Sequence, residues 1–97
     1  MVNKLKKGFA LKVKAGIAFL NVIRPHWQKR IDLEELDLSE SRVCVLGELG
    51  GNYTDERDAL GLNDDSAEAL GFYINNGKDK KYSLLTSIWK REIRKLL

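Results

Sequence analysis

The stretch KLKKGFALKVKAGIAFLNVIRP, residues 4–25, decides the fold. Leu5, Phe9, Val13, Ile17, Leu20 and Ile23 recur at three- and four-residue steps, the period of one apolar helix face, while Lys4, Lys7, Lys12 and Lys14 fall largely off that stripe. The spacing predicts a helix from about Lys4 to Ile23. Arg24-Pro25 ends it, because a residue before proline is pushed out of the helical region. Gly8 and Gly16 weaken such a helix by up to about 1 kcal/mol each, unless they let a second helix approach closely.

Working outward, Pro25 is placed to open a short second helix, Pro25–Arg30, since proline tolerates the first helical position. Asp32 caps a single turn that ends at Leu36, and Leu33, Leu36 and Leu38 peg this segment to the core. Ser39 or Ser41 then caps a helix carrying Val43, Cys44, Leu46 and Leu49, stopped by Gly50-Gly51. Two similar octads follow, Asp55–Leu62 and Asp65–Phe72, too short for a solenoid and read as two short helices. Thr54 and Asp64 are their expected N-caps, and Gly61 and Gly71 sit where a left-handed residue closes a helix. Phe72-Tyr73-Ile74 reads as a short strand without a partner, and residues 75–78 as a turn. From Asp79 to Leu97 the series Tyr82, Leu85, Trp89, Ile93 and Leu96 is helical again. The expected fold is all-α: a single compact domain over residues 1–97, with two longer terminal helices around three or four short ones.

The chain of 97 residues carries 43% hydrophobic and 32% charged residues with one proline, which excludes a disordered or collagen-like polymer. One cysteine, Cys44, makes no internal bridge and suits a reducing compartment. The charge-free run Ala15–Ile23 is too short to span a bilayer, so no membrane partner and a cytoplasmic location are expected. The net charge of +3 hides three blocks. Residues 1–30 hold eight Lys or Arg and no acid; residues 31–77 hold twelve acids against Arg42 and Arg57; residues 78–97 hold seven bases against Asp79 and Glu92. Either the basic ends meet the acidic middle, or one face stays basic for an anionic partner.

Catalytic chemistry finds little support. His26 and Cys44 are the sole residues of their types, and Cys44 between Val43 and Val45 reads as a small buried hydrophobe. No metal-ligand spacing, phosphate loop or cofactor motif is present, so neither enzyme nor cofactor is expected. The segments 43–49 and 54–60 could form a helix-turn-helix, but Asp55, Glu56 and Asp58 would repel phosphate from its second helix. Binding is better served. Arg24, His26, Trp27, Lys29 and Arg30 cluster within seven residues at a helix start, where guanidinium forks and an indole face suit phosphate and base. Tyr53 offers a second ring beside Gly50-Gly51-Asn52, and Lys90, Arg91, Arg94 and Lys95 form a basic helix end for nucleic acid.

The pattern Arg24-Pro25-x-Trp27-x-x-Arg30-Ile31-Asp32-Leu33-x-x-Leu36-Asp37-Leu38-Ser39 resembles small bacteriophage proteins. The likeness continues through Cys44-Val45-Leu46-Gly47-x-Leu49-x-Gly51-x-Tyr53, Ala59-Leu60-Gly61-Leu62 and Tyr82-x-x-Leu85-Thr86-x-x-Trp89, covering roughly residues 24–93. The resemblance implies a non-enzymatic phage accessory or counter-defence protein in the host cytoplasm. In that setting the leading expectation is a homo-oligomer that sequesters a small nucleotide-type ligand through Arg24, His26, Trp27, Arg30 and Tyr53. Two others stand beside it: an inhibitor of a host defence protein or nucleoprotein, acting through the acidic middle (Glu34, Glu35, Asp64, Asp65), and a nucleic-acid-binding accessory protein using the basic terminal helices.

Overall fold

In this computed structural model the described residues, 2–97, form α1 (Val2–Ile23), a 3-10 turn (Trp27–Arg30), α2 (Val45–Gly50), α3 (Tyr53–Ala59), α4 (Asp64–Ala69) and α5 (Asp79–Leu96). The fold is all-α with its two longer helices at the ends of the chain, and no strand occurs among the described residues. α1 packs along α5 and α4, while α2 packs on α3 and on the 3-10 turn. None of these helices is long and apolar enough to cross a membrane.

The apolar period of α1 is realised at its centre and fails at its ends. Phe9, Val13 and Leu20 are buried and Ile17 is half-buried, but Leu5 and Ile23 are exposed. Those two lie five whole turns apart at one angular position, close to that of buried Phe9 and Gly16, so it is their place near the two ends of the helix that leaves them exposed. Gly16 fulfils the close-approach reading. A Cβ there would run into the Leu70 carbonyl oxygen and lie 3.0–3.1 Å from the Trp89 ring, whereas one at Gly8 would meet nothing within 4 Å.

A chain of rings ties the distant segments together. Trp27 meets Trp89 edge-on at 6.0 Å between centroids, Trp89 stacks on Phe72 at 5.6 Å, and Phe72 meets Phe19 edge-on at 6.4 Å. Both indole N–H groups are satisfied as burial requires, Trp89 donating to the Gly71 carbonyl (2.7 Å) and Trp27 to Asn21 Oδ1 (2.9 Å).

Several local expectations shift by one to five residues. The second helix is shorter than Pro25–Arg30, because His26 adopts a left-handed conformation (φ 66°) and only Trp27–Arg30 coil, as a 3-10 turn. α2 is capped by neither serine. A turn through residues 40–43 delays its start, and the Cys44 thiol takes the Gly47 N–H at 3.3 Å, while Ser41 receives the Tyr53 N–H. α3 and α4 are capped by Asn52 and Asn63, placing Asp55, Asp64 and Asp65 in the first turns, where the helix dipole favours acids. Asp32 does cap its turn, its carboxylate accepting the Glu34 N–H at 3.0 Å. Both octads end as expected, with Gly61 and Gly71 at φ 73° and 77° and Leu62 and Phe72 donating back to the Arg57 and Ala67 carbonyls. The strand expected at Phe72–Ile74 does not form. The Tyr82 hydroxyl takes the place of a partner strand, accepting the Ile74 N–H and donating to the Ile74 carbonyl, each at 3.1 Å.

Candidate functional site

Of the five residues expected to hold a nucleotide, Trp27, Arg24 and Arg30 make contacts within the fold, His26 is exposed, and Tyr53 lies on another element. Trp27 has no exposed surface, so neither face of its ring is open to a base. Arg24 donates from Nε to the buried Glu56 carboxylate of α3 at 3.3 Å. Arg30 donates to the Leu49 carbonyl at 2.6 Å, satisfying one of the acceptors left free at the end of α2. The two arginines therefore brace the α2–α3 corner from either side of Trp27. His26 is exposed, and its left-handed backbone turns the chain into the 3-10 segment.

Tyr53 stands apart on α3, with its ring stacked on Tyr73 at 5.4 Å and the Arg57 guanidinium 5.5 Å over it. Its hydroxyl donates to Asp64 Oδ1 at 2.8 Å, and Arg57 donates to the same oxygen at 2.9 Å. Burial, with Asp64 adding, pushes the Tyr53 hydroxyl well above its ordinary pKa; the Tyr53 and Arg57 hydrogen bonds hold the Asp64 carboxyl below its own. Tyr53 also borders a cleft of about 170 Å³ with Leu38, Ser39, Ser41, Cys44, Phe72, Tyr73 and Tyr82. Burial raises the Cys44 pKa, so the thiol at its floor stays protonated.

The acids of the middle block have different surroundings. Asp64 is tied to Tyr53 and Arg57, while Glu34, Glu35 and Asp37 border a separate cleft of about 400 Å³ closed on its other side by Ser83, Thr86, Ser87 and Lys90 of α5. Close by, Glu48 Oε1 accepts the Asp32 N–H at 2.7 Å, and Oε2 is buried without a partner. Burial pushes the Glu48 pKa above its ordinary 4.5, the Asp32 and Glu35 charges adding to the effect and the Asp32 N–H opposing it. A carboxyl raised in the folded state binds its proton more tightly there, so its contribution falls as pH rises from 4.5 through the raised value. Glu48→Gln is accordingly expected to raise Tm at pH 7, with the difference shrinking as pH falls through that window and vanishing below 4.5; thermal unfolding across pH measures it.

The cationic residues gather elsewhere. α1 carries five lysines and no acid, and α5 six bases against Asp79 and Glu92. Packing α1 along α5 joins the two basic ends of the sequence, and Lys6, Lys7, Ala10 and Arg91 line one groove of about 210 Å³ between them. Among the described residues the five α1 lysines form no ion pair. Lys4, Lys6, Lys7 and Lys14 are exposed, as are Arg91, Arg94 and Lys95 on α5. Glu92 is the local counter-charge, held below its ordinary pKa by Lys95 and Arg91 at 3.1 Å each. The sequence marks each of these helices as basic; that Lys6, Lys7 and Arg91 share a groove is the part it does not show, its trace being the two like-charged blocks at the chain ends.

No group of His, Cys, Asp and Glu among the described residues is placed to hold a metal ion. Compared with protein-family models, curated proteins and solved structures, the chain finds no match.

Proposed function

We propose that the protein is a non-enzymatic nucleic-acid-binding protein that grips the phosphate backbone with the joint basic face of α1 and α5. The observation that carries the reading is the groove in which Lys6 and Lys7 from one end of the chain meet Arg91 from the other, flanked by further exposed cations with few acids beside them. Lysine and arginine on adjacent helices neutralise successive phosphates and release their counterions, which favours a polyanion over a single small anion. Trp27, Trp89 and Phe72 are buried and Tyr53 stacks on Tyr73, so the contact does not rest on base stacking. The contact is therefore to backbone, with little sequence discrimination. A buried, protonated Cys44 and a histidine set on an exposed turn favour binding over catalysis. The role is that of an accessory protein handling nucleic acid, one of those the resemblance to small phage proteins implies.

The test is fluorescence anisotropy with a short labelled DNA duplex across a salt series. Binding is expected to weaken linearly on a log–log plot, with a slope of about −0.9 for each phosphate engaged. Lys6→Glu/Lys7→Glu/Arg91→Glu is expected to weaken it by at least about tenfold and to flatten the slope. All three positions are exposed, so Tm should hold. Absence of binding at low salt, or a triple variant of unchanged affinity, rules the reading out. A thermal shift with mono- or dinucleotides and none with duplex would return the small-ligand reading, centred on Tyr53.

A further inference from the structure

Helix α5 departs from its own apolar pattern at one place. Leu85, Ile88, Trp89 and Ile93 are its buried residues. Glu92 follows Ile88 by four residues, a step that keeps a helical side chain on nearly the same face, and its side chain is only 12% exposed. A carboxylate so placed gives up hydration that an apolar side chain there would not need. Its partners are two cations of the basic face. One oxygen, Oε2, accepts from Arg91 Nε and from Lys95 Nζ, each at 3.1 Å. The side chains of Arg91 and Lys95 are 49% and 65% exposed. Ion pairs to cations this open contribute little to stability, so the fold alone does not account for the acid.

We infer, on the reading of the α1–α5 face as a phosphate-binding surface, that Glu92 is a positioning residue which holds Arg91 by Nε and leaves both its Nη groups for a phosphate. A guanidinium donates from Nε and from both Nη groups, and its planar fork matches two oxygens of one phosphate. Among the described residues no protein acceptor takes an Arg91 Nη N–H. Lys6 and Lys7, which line the same groove, are compact charges whose direction matters less. An arginine loose in water loses rotamer freedom when it binds, and one already held loses less. Charge by itself predicts the opposite effect. A negative group beside a phosphate site repels the ligand, so its removal would strengthen binding. The sign of the change in Glu92→Gln therefore separates the two roles.

Fluorescence anisotropy with the labelled duplex at several NaCl concentrations reads that sign. Glu92→Gln is expected to weaken binding by about threefold or more, although it adds one positive charge to the chain. In an Arg91→Gln background the same substitution should cease to weaken binding, because the group it positions is gone. Thermal unfolding of each variant ensures that binding is compared between folded chains. A second readout needs no nucleic acid: in ¹H–¹⁵N spectra of the free protein, the Arg91 Nε–H should exchange with water faster in Glu92→Gln than in wild type. Tighter binding by Glu92→Gln, a weakening that persists without Arg91, or an exchange rate that Glu92→Gln leaves unchanged overturns the role of Glu92 while the phosphate-binding reading stands. A wild-type chain that binds no duplex removes that reading, and the role of Glu92 falls with it even where the Nε–H is protected.

Discussion

Trp27→Ala is expected to cost about 3–5 kcal/mol of stability, the range for truncating a fully enclosed aromatic. The indole has no exposed surface, meets Trp89 edge-on, and donates to Asn21. Its removal opens a void at the junction of α1, the 3-10 turn and α5, and leaves Asn21 without its donor. In a domain whose total stability is on the order of 5–15 kcal/mol, that loss lowers Tm by roughly 12 °C or more. Trp27→Phe keeps a ring but loses the N–H, so it should lie between the two. Thermal unfolding by far-UV circular dichroism makes the comparison without relying on the removed fluorophore. A Trp27→Ala protein of wild-type Tm that had lost affinity for nucleotides would instead make the ring a ligand plate.

Gly16→Ala is expected to destabilise by about 1–3 kcal/mol, the range for forcing extra volume into a packed contact. Helix propensity alone predicts the opposite, a gain of up to about 1 kcal/mol. The packing term wins because the added methyl would meet the Leu70 carbonyl, which is backbone, and the Trp89 ring, which is wedged between Phe72 and Trp27. Neither neighbour can yield cheaply. Gly8→Ala on the same helix supplies the control, since nothing lies within 4 Å and the propensity gain should appear undiminished. Chemical denaturation of the two variants should give shifts of opposite sign; two gains would show that α1 stands farther from α4 and α5 than described.

Both predictions concern places where one residue type in the sequence admits two readings. An arginine–tryptophan–arginine cluster at a helix start is as fit for a nucleotide as for a corner brace, and side-chain composition does not distinguish them. What distinguishes them is Glu56 and the Leu49 carbonyl, which lie 32 and 19 residues from their arginines and take up the guanidinium groups. With Trp27 sealed between them, these three side chains make contacts within the fold, while His26 and Lys29 of the same cluster are exposed. The lysines of α1, by contrast, are unremarkable singly and become a surface only when α5 lies beside them.

The sequence by itself determined what depends on near neighbours. The helical period of α1 and α5, the left-handed closures at Gly61 and Gly71 and the turn capped by Asp32 arise from bonds and contacts within a few residues, and each is written locally. The caps of α3 and α4 slipped from Thr54 to Asn52 and from Asp64 to Asn63, because Asn caps better than Thr and as well as Asp, and the cap is the residue whose own backbone is extended. Only the tertiary structure decided which glycine of α1 is a contact, which aromatics are sealed, that a tyrosine hydroxyl replaces a strand at Ile74, and that the two basic ends of the chain adjoin. These are contacts between distant residues, whose energies depend on how every apolar face is buried at once, and no short window of sequence contains that sum.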